Sequence, residues 1–175
     1  MKKKLVILII ITILLVGCNK TKKSYLEKKS LFTGVDNMNI ITPSDWLNNL
    51  VKESFLGEFS IHTINNGIDL SVFRPIESDF KKKHNLSGKK IVLGIANVWE
   101  KRKGLDDFIE LSKILSNDVK IILVGLNEKQ ISALPSNIMG ITRTENISEL
   151  VKLYSAADIF VNPTKEDNFP TVNIE

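Results

Sequence analysis

Two clusters of charged residues, far apart in the chain, have the side chains needed to hold a phosphorylated, hydroxyl-rich ligand. Lys101, Arg102 and Lys103 stand between an apolar run, Ile91-Val92-Leu93-Gly94-Ile95-Ala96, and a stretch with helical periodicity. A lysine there acts as a compact point charge on a diphosphate, and an arginine can fork across two of its oxygens. The N-terminus of the following helix adds a dipole that favours anions. The second cluster, Glu166, Asp167 and Glu175, follows the apolar run Asp158-Ile159-Phe160-Val161 and a loop, Asn162-Pro163-Thr164-Lys165. Asp167 and Glu175 lie eight positions apart, separated by Asn168-Phe169-Pro170-Thr171 and three further residues. A basic loop taken alone is ordinary surface. Paired with the acidic loop, it makes a candidate nucleoside-diphosphate site, with cations for the phosphates and carboxylates for the ribose and sugar hydroxyls.

Such a site needs both loops at the carboxyl edge of one parallel sheet, where open α/β folds bind their ligands. The chain supplies the elements. Residues 39–42 form a short β-branched strand, and Ser44 caps a helix with Trp46, Leu47, Leu50 and Val51 on one face. Residues 61–64 form a strand that stops at the turn Asn65-Asn66-Gly67. Residues 90–96 and 119–124 are apolar without alternation, as in strands covered on both faces, and residues 158–161 read as another buried parallel strand. Leu105, Phe108, Ile109 and Leu115 mark a helix, with Asp106 and Asp107 in its first turn. Asn127 and Gln130 form a capping box, residues 138–142 a strand, and Asn146 caps a helix striped by Ile147, Leu150, Val151 and Tyr154. Strand and helix alternating at this spacing define an α/β fold, a Rossmann-like parallel sheet with helices on both faces. A further helix should begin close to Glu175.

Other chemistries lack their residues. The chain has neither G-x-G-x-x-G nor a P-loop, and no Gly-x-Ser-x-Gly elbow. His62 falls inside a strand and His84 beside Lys81-Lys82-Lys83, which reads as a solvated turn. Two distant histidines and a single cysteine do not build a zinc site. The net charge of +4 owes three of its 24 basic residues to Lys2, Lys3 and Lys4, leaving 21 basic against 20 acidic residues. No basic stripe interleaved with aromatics remains to follow a phosphate backbone, so nucleic acid is not the expected partner.

Those three lysines open a leader. Residues 5–16 are apolar apart from Thr12, too short for the roughly 20 residues of a spanning helix but suited to a secretory h-region. Leu15-Val16-Gly17-Cys18 then resembles the lipobox of bacterial lipoproteins, in which the cysteine is acylated after cleavage. Residues 1–18 are thus expected to be a lipoprotein-like signal peptide and residues 19–37, rich in lysine, a polar tether. The chain would be membrane-anchored through a lipidated Cys18, the alternative being a cytoplasmic, membrane-associated protein.

Residues 38–175 resemble the retaining GT-B glycosyltransferases of the family-four type, which transfer sugars in polysaccharide and glycoconjugate synthesis. Six pieces occur in the family's order. They are Ile41-Thr42-Pro43-Ser44-Asp45-Trp46-Leu47, Ile64-Asn65-Asn66-Gly67-Ile68-Asp69, Trp99-Glu100-Lys101-Arg102-Lys103-Gly104-Leu105, Ile122-Leu123-Val124-Gly125, Leu153-Tyr154-Ser155-Ala156-Ala157-Asp158 and the segment from Asn162 to Glu175. The resemblance implies that Lys103 contacts the donor diphosphate. Asn97 stands near the family's accompanying arginine, with Arg102 as its stand-in. Glu175 matches the carboxylate that bonds the ribose, and Asp167 the one that contacts the donor sugar, with Glu166 as its substitute. Asn168, Phe169, Pro170 and Thr171 match the loop whose amides face sugar and phosphates. No cofactor or obligatory metal is implied. The donor, a nucleotide sugar, is a substrate, and a glycan is the implied acceptor.

The same resemblance makes residues 38–64 a remnant of the family's N-terminal domain and interdomain junction. Residues 65–175 become a nucleotide-sugar-binding domain, incomplete at its C-terminus and expected to be inactive alone. The leader supports a different class of function, a lipid-anchored extracytoplasmic binding module for a small polar ligand. A flavodoxin-like or receiver-like domain would need clustered acids or a phosphate loop after its first strand, and the chain has neither.

Overall fold

The structure, a computed structural model, describes residues 6–7 and 19–175. It divides into two units between Asn66 and Gly67, inside the turn expected from Asn65-Asn66-Gly67.

The first unit holds β1 (Val6–Ile7), α1 (Asn19–Phe32), β2 (Asn39–Thr42), α2 (Asp45–Lys52) and β3 (Ser60–Thr63). Among the described residues its three strands run parallel in the order β1-β2-β3. Ser44 is extended and accepts the Leu47 N–H at 3.2 Å, which fixes the start of α2 as its sequence implied. Leu47 and Val51 then pack with Met38, Ile40 and Leu56. Trp46, expected on the same face, is 47% exposed. It sits about 100° around the helix from Leu47, and Asn48 turns inward instead to bond Thr63 at 3.1 Å.

The tether expected over residues 19–37 is largely helical, as α1. No glycine or proline interrupts residues 19–32, and the lysines, glutamate and leucines there are good helix formers. Lys23 and Glu27 add an i,i+4 pair at 3.9 Å. Tyr25 meets Phe55 edge-on at 5.2 Å and Phe32 packs on the core, so tertiary contacts hold what the polar composition disguised.

The second unit holds α3 (Phe80–Lys83), β4 (Lys90–Ile95), α4 (Leu105–Ile114), β5 (Val119–Val124), α5 (Glu128–Ser132), β6 (Ile138–Ile141), α6 (Ile147–Ala156) and β7 (Ile159–Phe160). All pairings are parallel, in the order β6-β5-β4-β7. Successive residues of β4 and β5 feed opposite faces. Ile91, Leu93, Ile122 and Val124 pack with Phe80, Leu86, Leu153 and Ala156. Val92, Ile121 and Leu123 pack with Phe108 and Leu126 on the other side. Two covered faces account for apolar runs without alternation.

Two expectations need correction here. Lys81-Lys82-Lys83 are not a turn but most of α3, because Phe80 buries itself with its ring 4.3 Å from that of His84, while Lys82 and Lys83 face outward and Lys81 turns to Asp158. Residues 158–161 are not a buried strand either. Among the described residues β7 pairs only with β4, and Ile159 is 57% exposed at that edge.

Asp158 pins the start of β7. Its carboxylate accepts from Lys81 at 2.8 Å, from the Ile91 N–H at 2.9 Å and from Lys90 at 2.9 Å. Those donors, Lys81 foremost, hold its carboxyl well below the usual carboxylate range. A depressed value in the fold means that Asp158 stabilises it above about pH 4, and that this contribution fades as pH falls through the lowered range.

Candidate functional site

Because β4 and β7 are parallel neighbours, the loops that leave them emerge side by side at the carboxyl edge of the sheet. The loop after β4 is anchored from below. Trp99 is buried, donates its indole N–H to the Val124 carbonyl at 2.8 Å and meets Phe108 edge-on at 5.6 Å. Gln130 completes the capping box with Asn127 and also donates to the Trp99 carbonyl at 2.8 Å. Above this anchor Lys101–Lys103 form a single 3₁₀ turn that ends at Gly104 with φ of 77°. A Cβ on Gly104 would lie 2.6 Å from Pro163 and 2.8 Å from Asp107, so glycine lets the two loops touch.

The contact is polar and specific. The Lys165 N–H donates to the Arg102 carbonyl at 2.9 Å, and the Arg102 guanidinium donates to the Glu166 carbonyl at 3.2 Å. The same guanidinium pairs with Glu100 at 3.2 Å. Lys103 Nζ reaches Asp167 Oδ2 at 2.6 Å, with only 18% and 27% of the two side chains exposed. Asp167 Oδ1 accepts the Asn168 N–H at 2.8 Å, which turns the backbone into residues 168–171. Asn97 is exposed at the start of the first loop.

Beyond this pair the second loop closes on itself. Asn162 Oδ1 accepts from the Thr164 hydroxyl and N–H, while its Nδ2 donates to Asn173 Oδ1 at 2.8 Å. Thr171–Asn173 form a 3₁₀ turn where the start of a helix was expected. The Glu175 N–H bonds the Thr171 carbonyl at 3.1 Å, and its carboxylate takes the Tyr154 hydroxyl at 2.8 Å. Burial first, then the bond to Glu175, push the Tyr154 phenol well above its ordinary value.

The structure thus places Arg102, Lys103, Glu166 and Asp167 in direct contact, with Asn168, Phe169, Pro170 and Thr171 continuing from them and Glu175 held through Tyr154. Sequence reading did not single out Tyr154, Asn162, Asn173 or Gln130 as parts of the site. Tyr154 was legible only as one residue of a helical stripe, and Gln130 only as a cap. Cys18 lies outside the described residues. Among those residues no three His, Cys, Asp or Glu side chains group as a metal site, and no helix is long and apolar enough to cross a membrane.

The parallel α/β sheet with its helices is similar in fold to solved GT-B glycosyltransferase structures. Residues 89–175 match the family model described as glycosyl transferases group 1. That segment is thus similar to the group 1 glycosyltransferases. The chain is 27% identical over 165 residues to the capsular polysaccharide biosynthesis glycosyltransferase CapM of Staphylococcus aureus, which covers 86% of this chain and 43% of CapM. Among solved structures it is similar to sucrose-phosphate synthase from Thermosynechococcus elongatus, with a TM-score of 0.69, 18% identity and coverage of 91% of this chain and 43% of that one. It is also similar to HepE from Anabaena in complex with UDP-glucose, with a TM-score of 0.61, 15% identity and coverage of 85% and 44%. At such identities the structural likeness establishes the fold. The chain spans less than half the length of these relatives.

Proposed function

We propose that residues 67–175 bind a nucleotide-diphosphate sugar, as the donor side of a retaining glycosyltransferase that passes the sugar to a glycan acceptor. The observation that carries this reading is the Lys103–Asp167 pair, a shielded cation and carboxylate meeting between two loops at the carboxyl edge of a parallel sheet. Lys103 would hold the diphosphate, and the amides of residues 168–171 would face its oxygens and the sugar. As the glycosidic bond to phosphate breaks, charge grows on the leaving diphosphate, where fixed donors stabilise it most. Asp167, with Glu166 beside it, would take the sugar hydroxyls and Glu175 the ribose. The reading calls on no cofactor besides the donor substrate. The UDP-glucose held by HepE, a protein of the same fold, supports it.

Calorimetric titration of the full chain with UDP, UDP-glucose and other nucleotide sugars should give saturable binding in the high micromolar range. In-line placement of an acceptor can supply roughly 7–11 kcal/mol of the barrier to transfer. We propose that this chain alone binds donor without multiple turnover. Absence of saturable binding to every nucleoside diphosphate would remove the reading.

We also propose that Cys18 is acylated and anchors the chain to a membrane. The motivation is Leu15-Val16-Gly17-Cys18 behind a basic, then apolar leader. Two or three acyl chains anchor stably where one binds only marginally. Palmitate should label the protein, and label that persists in Cys18→Ala would sink the assignment. The leader also favours the second reading, a lipid-anchored extracytoplasmic module for a small polar ligand. Nucleoside-diphosphate binding decides between the two.

A further inference from the structure

We propose that Tyr154 is a positioning residue, whose hydroxyl sets the Glu175 carboxylate for the ribose hydroxyls of the donor. The inference rests on the donor-site reading above and adds to it the group that aims one of its carboxylates.

Glu175 carries a long side chain that is costly to fix in one rotamer. Its partners differ from those of the other acid of the site. Asp167 is held by a lysine that is itself expected to bind ligand, so that contact is exchanged when donor arrives. Tyr154 carries no charge for a diphosphate to draw away, and its ring is held by packing. Its ring sits on α6 against the core and lies 5.8 Å from Phe160 of β7, so the phenol is fixed by two elements of the sheet layer. The backbone of Glu175 is fixed separately by the bond of its N–H to Thr171.

An ionised carboxylate only accepts hydrogen bonds, and it has about four lone-pair sites on two oxygens. The Tyr154 hydroxyl takes one site on Oε2 at 2.8 Å. Oε1 and the second site on Oε2 are left by that bond for a vicinal diol. Because the raised phenol stays protonated at assay pH, it remains a donor throughout. Preorganisation of this kind raises affinity by removing the ordering cost at the moment of binding.

The test separates aiming from general support of the fold. The full chain and its variants Tyr154→Phe, Glu175→Gln and the double variant would be titrated with UDP, 2′,3′-dideoxyuridine diphosphate and inorganic pyrophosphate. Phenylalanine keeps the ring packing and removes only the hydroxyl. Tyr154→Phe should weaken UDP binding roughly 3–10-fold and leave the dideoxy analogue and pyrophosphate unchanged. It should add little further loss in the Glu175→Gln background, the mark of two residues acting as one unit. Unchanged UDP affinity, equal losses for all three ligands, or full additivity with Glu175→Gln would each overturn the proposal. A wild-type chain that fails to bind UDP, or that binds it no better than the dideoxy analogue, refutes the ribose contact itself, and this proposal with it. That failure shows before any substitution is made, so it cannot be confused with a failure of Tyr154 alone.

Discussion

Gly125→Ala is expected to destabilise the second unit by about 3–5 kcal/mol, the range of severe single substitutions. Gly125 follows β5 with φ of 97°, and a Cβ there would lie 1.6 Å from the carbonyl oxygen of Ala96. No rotamer change relieves a clash with backbone. The Ala96 N–H is itself bonded to Val124 at 3.1 Å, and the Gly125 and Leu126 N–H groups both reach the Ile141 carbonyl. Gly125 therefore sits where the carboxyl ends of β4, β5 and β6 are tied together. Pushing Ala96 away would move the loop that presents Lys103, so the variant should lose ligand binding along with stability. Urea unfolding followed by tryptophan fluorescence would read the change, with Gly67→Ala as control, since a Cβ on Gly67 meets nothing within 4 Å. A shift of less than 1 kcal/mol in Gly125→Ala would contradict this account.

Gly125 was legible beforehand only as the stop after an apolar strand, and the same limit recurs across the molecule. β4, β5, the Ser44 and Asn146 caps and the Asn127–Gln130 box were readable because each depends on residues adjacent in sequence or on one face of one element. α1 was not, because its helix is held by Tyr25 on Phe55 and Phe32 on the core, contacts between distant parts of the chain. α3 was hidden by three lysines whose composition says surface and whose backbone is set by the burial of Phe80. The exposure of β7 is a fact about its neighbours, which no local pattern records. In the candidate site, spacing alone could not choose among Lys101, Arg102 and Lys103. The structure distinguishes them: Arg102 is spent on Glu100 and the Glu166 carbonyl, Lys101 is exposed, and Lys103 is shielded against Asp167. Tyr154 went unnoticed because an aromatic on a helical stripe is ordinarily core, and here most of the ring is core while one oxygen belongs to the loop.

Lys103→Ala is expected to have the largest effect on binding at the proposed donor site, weakening nucleoside diphosphates by about 2–3 kcal/mol, or roughly 30–150-fold. In the structure the ammonium pairs with one carboxylate at 2.6 Å. A diphosphate presents more charge and more acceptor oxygens than Asp167, so it competes for the lysine and releases the aspartate towards the sugar. Removing the lysine costs the ligand its cation and also leaves the Asp167 charge facing the phosphates. Stability should change much less than affinity, by about 1 kcal/mol, because both side chains keep part of their surface in water and Asp167 can be solvated once the lysine is gone. Affinity falling while the unfolding midpoint moves little is thus the signature of a binding residue. Asp167→Asn should act in the opposite sense on inorganic pyrophosphate, which needs the lysine and has no sugar to lose, and should leave its binding equal or a few-fold tighter. Lys101→Ala, removing an exposed cation two residues away in the same 3₁₀ turn, should change affinity less than about threefold. The salt dependence of binding should also become shallower in Lys103→Ala alone, since one counterion-like contact has gone. If Lys103→Ala bound UDP within twofold of wild type while Lys101→Ala or Arg102→Ala did not, the diphosphate would have to be assigned to the outer face of the 3₁₀ turn, and the exchange between ligand and Asp167 would be given up with it.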